Sequence, residues 1–174
     1  MLVSDLPISL WGLEKLLQGA GPEIELAGTA VDCGEATRII YETPIDVIVV
    51  DLDGDIGIDA IAELCSISPA RVLALTVSRD VSVHDGAILA GARGIVARSE
   101  PVASLLKAIE KIDEGEFWID GAATGRIFFH LAQRRKVEYE TPDHLRIASL
   151  TRRERQTIAE ITREIKVLLE GRFP

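Results

Sequence analysis

Ile45-Asp46-Val47-Ile48-Val49-Val50-Asp51-Leu52 is the stretch whose reading decides the fold. Val47 to Val50 are four consecutive β-branched residues with no polar alternation, the pattern of a strand buried on both faces rather than one side of an open sheet. The run stops at an acid, so the strand ends at a chemically distinct edge. Similar short runs recur at Ile24 to Ala30, Arg71 to Thr76 and Gly94 to Ala97, and Pro22, Pro44 and Pro69 punctuate the approaches to three of the strands. Helical spacing fills the gaps: Leu6, Leu10, Leu13 and Leu17 line one face, and Val102, Leu105, Ile109 and Ile112 another. The expected order is helix 7–19, strand 24–30, helix 33–42, strand 46–51, helix 57–67, strand 71–76, helix 82–92, strand 94–97 and helix 101–114, with a short first strand from Met1 to Ser4. Strands alternating with helices in this way predict an α/β fold, a doubly wound parallel five-stranded sheet covered on both faces.

Charge separates the chain into two parts. Residues 1–120 carry 21 acidic against 8 basic side chains, and residues 121–174 carry 7 against 11, so an acidic body is followed by a basic tail. The net charge of -9 argues against a whole-chain nucleic-acid binder, because phosphate contacts need a local surplus of Lys and Arg. Cys33 and Cys65 are the only cysteines, and no charged-then-apolar leader precedes Pro7, so a disulfide framework and a secretory route are not expected and the cytoplasm is the expected compartment. Both cysteines read as small apolar side chains. The apolar runs fall far short of the ~20 residues that span a bilayer, so no membrane partner is expected.

Ligands of an open parallel sheet bind at the carboxyl ends of its strands. Asp5 and Asp51 stand at two such ends, Thr76 at a third, and Arg98 follows the last strand. If the first two strands are neighbours, their carboxylates converge on a hard oxygen site suited to Mg²⁺. A carboxylate nucleophile, a hydroxyl and a guanidinium at one edge are parts suited to accepting and holding a phosphoryl group. Each part also has a plainer reading. A strand-end Asp caps turns, Thr is common in strands, and Arg98 has Glu100 nearby as a surface partner.

Together these residues resemble the receiver domains of NarL/FixJ-type (LuxR-type) response regulators. Leu2-Val3-Ser4-Asp5-Leu6-Pro7 resembles their start, Ile45 to Leu52 their phosphoacceptor strand, and Val72-Leu73-Ala74-Leu75-Thr76 their switch strand, while Gly91-Ala92-Arg93-Gly94 precedes their usual lysine position. The likeness runs in order through residues 2–120. It implies a flavodoxin-like receiver with Asp51 as phosphoacceptor, Thr76 and Arg98 as switch and phosphate-contacting residues, and Asp5, Asp51 and Asp53 as ligands of a weakly held Mg²⁺. It also implies a histidine kinase and DNA as partners, a homodimer through the first or fifth helix, and a role without enzymatic turnover. The departures are specific. Ser4 replaces one acid of the usual pair, Arg98 the usual lysine, and Ile95 a switch aromatic, while Asp53-Gly54-Asp55 adds two charges beside the site. Arg is a planar fork rather than a point charge, so the exchange is not conservative.

Residues 1–118 therefore read as the receiver and 119–149 as a linker, with a helix over 121–133 and a turn at Thr141-Pro142-Asp143. Leu150-Thr151-Arg152-Arg153-Glu154-Arg155 resembles the opening of a LuxR-type helix-turn-helix, but 150–174 has room for only its first helix. Sequence-specific DNA binding is therefore expected of a longer parent protein and not of this chain. Two rival readings remain at this stage. One is a phosphorylation-independent receiver-fold module that dimerises or binds a partner. The other is a phosphatase of the haloacid-dehalogenase type, suggested by Asp51-Leu52-Asp53-Gly54, with Asp51 as nucleophile and Asp53 as acid/base.

Overall fold

Val47–Asp51 forms the central strand, and every one of its side chains is buried, as its unbroken β-branched run requires. In a computed structural model of the chain, whose described residues are 1–139, it is the third of five parallel strands. The elements are β1 (Leu2–Val3), α1 (Pro7–Gln18), β2 (Thr29–Ala30), α2 (Cys33–Glu42), β3 (Val47–Asp51), α3 (Ile58–Ile67), β4 (Arg71–Thr76), α4 (Val81–Leu89), β5 (Gly94–Ala97), α5 (Val102–Asp113) and α6 (Gly121–Tyr139). The sheet order is β2-β1-β3-β4-β5. β3 is thus flanked by β1 and β4, which brings the strand ends carrying Ser4, Asp51 and Thr76 to one edge.

The two-residue period of the strands divides the core. Ile48, Val50, Val72 and Ala74 point to the face covered by Ala36, Ile61 and Leu64 of α2 and α3. Val47, Val49, Leu73 and Leu75 point to the face covered by Leu17 of α1 and by Leu105, Ala108, Ile109 and Ile112 of α5. Caps match the local sequence: Asp32 accepts the Glu35 amide at the start of α2, and Asp80 accepts the Ser82 amide at the start of α4. Gly94 is required by close approach, since a Cβ there would lie 2.6 Å from the Cβ of Trp118. That approach lets Trp118 bridge to the free edge of β5, with the Ile95 amide donating to the Trp118 carbonyl at 3.1 Å.

The expected strand over 24–30 is corrected to Thr29–Ala30. Its partner β1 is only two residues long, so the ladder has nothing further to pair with. Ile24 and Leu26 instead pack as apolar side chains against the α1–α5 face. The expected helix over 121–133 extends to Tyr139. Contacts divide the chain into Met1–Ile127, which holds the sheet, and the residues from Phe128 onward. The helix-turn-helix resemblance at 150–174 lies outside the described residues. No described helix is long and apolar enough to cross a membrane.

Candidate functional site

Asp51 is the last residue of β3 and is fully buried. Burial of a carboxylate is costly unless each oxygen is satisfied, and here both are. The Ser4 and Ser9 hydroxyls each donate to Oδ2 at 2.7 Å. Arg98 Nη2 lies 2.5 Å from Oδ1, an ion pair rather than an aligned hydrogen bond, and the Asp53 amide donates to the same oxygen at 3.2 Å. Burial pushes the Asp51 carboxyl up, but the contacts from Arg98, Ser4, Ser9 and the Asp53 amide outweigh it and hold the group below its ordinary value. The carboxylate is therefore ionised at neutral pH, the state a nucleophile needs.

Arg98, just beyond β5, organises the rest. Besides Asp51 it reaches Asp53 Oδ2 through Nε at 2.9 Å and Ser9 Oγ through Nη1 at 2.7 Å. Partial burial works against its charge, and Asp51 and Asp53 more than offset this, so the guanidinium is held protonated. Thr76 ends β4 and donates to Asp53 Oδ1 at 2.9 Å, joined there by the Val77 amide at 2.7 Å. Asp51, Asp53, Thr76 and Arg98 are thus brought together by the ends of three strands and one loop.

Asp5 is not part of that cluster. β1 does neighbour β3, yet the side chain that turns inward from this strand end is Ser4. Asp5 faces the loop after β3: its Oδ2 accepts the Asp55 amide at 2.5 Å, and Oδ1 is buried without a hydrogen-bond partner among the described residues. Gly54 makes room for it, since a Cβ there would fall 1.9 Å from Asp5 Oδ1. Among the described residues no three His, Cys, Asp or Glu side chains gather as a metal site. Arg98 takes Asp53 and one Asp51 oxygen, and Asp5 turns to the loop after β3, so a divalent cation drawing on Asp5, Asp51 and Asp53 would compete with these contacts.

Sequence reasoning missed Ser9. Ser9 lies in the first turn of α1, and a serine in an amphipathic helix carries no mark of function. It also missed the pair of buried Asp85 on α4 and partly exposed Arg126 on α6, in which Arg126 Nε reaches Asp85 Oδ2 at 3.0 Å and Nη2 reaches Oδ1 at 3.0 Å. No pattern in the sequence links those two positions.

The chain is similar to known transcriptional regulators. The chain is 30% identical to the transcriptional regulatory protein LiaR of Bacillus subtilis over 164 residues, covering 92% of this chain and 74% of LiaR. It is 32% identical over 158 residues to the DNA-binding transcriptional activator DevR/DosR of Mycobacterium tuberculosis, covering 88% of this chain and 69% of that protein. The chain belongs to the LuxR family of two-component response regulators. A solved LuxR-family response regulator from Aurantimonas sp. superposes with a TM-score of 0.62 at 32% identity, over 76% of this chain and 96% of that one. No family model matches the chain. The flavodoxin-like receiver expected from the sequence is the fold observed. The haloacid-dehalogenase reading has no support here, because both oxygens of its intended acid/base, Asp53, are occupied by donors. Receiver domains generally bind Mg²⁺ at the phosphorylation site.

Proposed function

We propose that this chain is the receiver of a transcriptional response regulator whose phosphoacceptor is Asp51, with Thr76 and Arg98 as the groups that hold the added phosphoryl. The observation that carries this reading is the ionised, fully buried Asp51 at the end of the central strand, with a guanidinium on one oxygen and two hydroxyls on the other. In the transfer, Asp51 attacks the phosphorus of a phosphorylated donor such as a kinase histidine, the bond to the donor breaks, and an acyl phosphate forms. Arg98 is placed to offset the incoming charge. Output follows as a population shift between receiver conformations that contact the phosphoryl differently.

Mg²⁺ is held weakly on this account. An ion would draw on Asp5, Asp51 and Asp53, two of which Arg98 already neutralises. Homodimerisation is supported by exposed apolar side chains on the first helix, Ile8 and Trp11, and on the fifth, Val102. A cytoplasmic location and DNA control through a longer parent protein agree with the family. Incubation with acetyl phosphate followed by intact-mass measurement tests the proposal. The wild-type chain gains one phosphoryl mass and Asp51→Asn gains none; equal labelling of both would overturn it.

One observation favours a second reading, a receiver that works without phosphorylation. Asp53 already occupies the donors that a phosphoryl group would use.

A further inference from the structure

Three donors of different kinds converge on Asp53. They are the Thr76 hydroxyl and the Val77 amide, both on Oδ1, and Arg98 Nε on Oδ2, at 2.9, 2.7 and 2.9 Å. They come from the ends of β4 and β5, while Asp53 comes from the loop after β3. A hydroxyl, an amide and a guanidinium around one point form a cradle for an anion. The side chain in it is nearly enclosed, with 11% of its surface exposed. Asp53 lies two residues beyond Asp51, and its own amide donates to Asp51 Oδ1 at 3.2 Å. The cradle is therefore next to the atom on which a phosphoryl group would be built.

We infer that Asp53 is an internal stand-in for the phosphoryl group, its carboxylate filling the oxyanion cradle of Thr76, Val77 and Arg98 and holding the receiver in the anion-bound arrangement without modification. This rests on the reading of Asp51 as acceptor and concerns how that site is regulated. A hydroxyl and an amide each have one proton to give, so Thr76 and Val77 cannot serve Asp53 and a phosphoryl oxygen at full strength together. Arg98 has five donors and can serve both Asp51 and Asp53, as it does here. A carboxylate carries one charge where a phosphoryl carries close to two. The stand-in therefore sets Thr76 inward while leaving the pocket less negative than phosphorylation would. A true tetrahedral oxyanion must displace Asp53 before it can be held.

The test is calorimetric titration with beryllofluoride, a tetrahedral phosphoryl analogue, in Mg²⁺-containing buffer, on the wild-type chain, Asp53→Ala and Asp53→Ser. Asp53→Ser has a side chain too short to fill the cradle yet stays polar, and it serves if Asp53→Ala does not fold. Removing the stand-in is expected to tighten beryllofluoride binding by about tenfold or more, the equivalent of one to two recovered hydrogen bonds. Binding that is equal in variant and wild type, weaker in the variants, or absent from all chains would overturn the inference. Weaker binding would make Asp53 a ligand for the ion rather than a stand-in for the anion. Acetyl phosphate labelling of Asp53→Ala and of the Asp51→Asn/Asp53→Ala double variant reports separately on the acceptor. Labelling that survives the loss of Asp51 defeats that reading whatever the titration gives.

Discussion

Ser9, in the first turn of α1, reaches Asp51 at the end of β3: its hydroxyl donates to Asp51 Oδ2 at 2.7 Å while accepting from Arg98 Nη1 at the same distance. One small side chain thereby ties the acceptor to its counter-ion. The tie is electrostatic in consequence, because it helps keep the Asp51 carboxyl below its ordinary value against the opposing effect of burial.

Ser9→Ala should therefore destabilise the chain at neutral pH by about 1.5–3 kcal/mol, the usual worth of a hydrogen bond to a charged group. A carboxyl with a lowered native pKa contributes stability above its unfolded pKa and loses it as pH falls through the native value. The gap between Ser9→Ala and wild type should close in that acidic window. Urea unfolding at neutral pH and again below the ordinary carboxylate range measures it. A gap that does not depend on pH would mean that Ser9 matters for packing alone.

Asp85 is buried on α4 and its carboxylate is met by two guanidinium nitrogens of Arg126. Removing Arg126 leaves a buried charge unpaired, whereas removing both partners does not. Arg126→Ala should lower the melting temperature more than the Asp85→Ala/Arg126→Ala double variant does, as read by differential scanning calorimetry. The reverse order would show that the pair contributes nothing beyond its separate side chains.

Ser4 is fully buried with its hydroxyl on Asp51. Ser4→Asp sets a second carboxylate against the first, which should cost about 1–3 kcal/mol in metal-free buffer. Because the new acid also adds an oxygen ligand, Mg²⁺ should restore much of that loss, while leaving the wild-type melting temperature nearly unchanged. Thermal unfolding with and without Mg²⁺ decides between this and a variant that gains nothing from the ion.

The order of strands and helices was legible because a parallel sheet buried on both faces leaves apolar runs such as Val47 to Val50, and these do not depend on distant contacts. β2 was overread because Ile24 and Leu26 look like strand residues, while the length of a strand is limited by its partner, here the two residues of β1. The positions of Asp51, Thr76 and Arg98 at one edge were likewise readable from strand ends. Their pairing was not. Which carboxylate Thr76 and Arg98 meet depends on side-chain direction in the loop after β3, where Gly54 admits Asp5 and Asp53 folds back onto the pocket. Ser9 and the Asp85–Arg126 pair escaped for the same reason, since contacts between elements far apart in sequence leave no periodic trace.

The central claim is that Asp51 is the atom-level acceptor, and trapping the acyl phosphate tests it most directly. Borohydride cleaves an aspartyl phosphate at its acyl carbon, expelling phosphate and leaving homoserine in place of the aspartate. Peptide mass spectrometry after acetyl phosphate and borohydride treatment should find homoserine at position 51, with Asp5, Asp53 and Asp55 intact. Homoserine at any of those three positions with Asp51 unchanged would contradict the account.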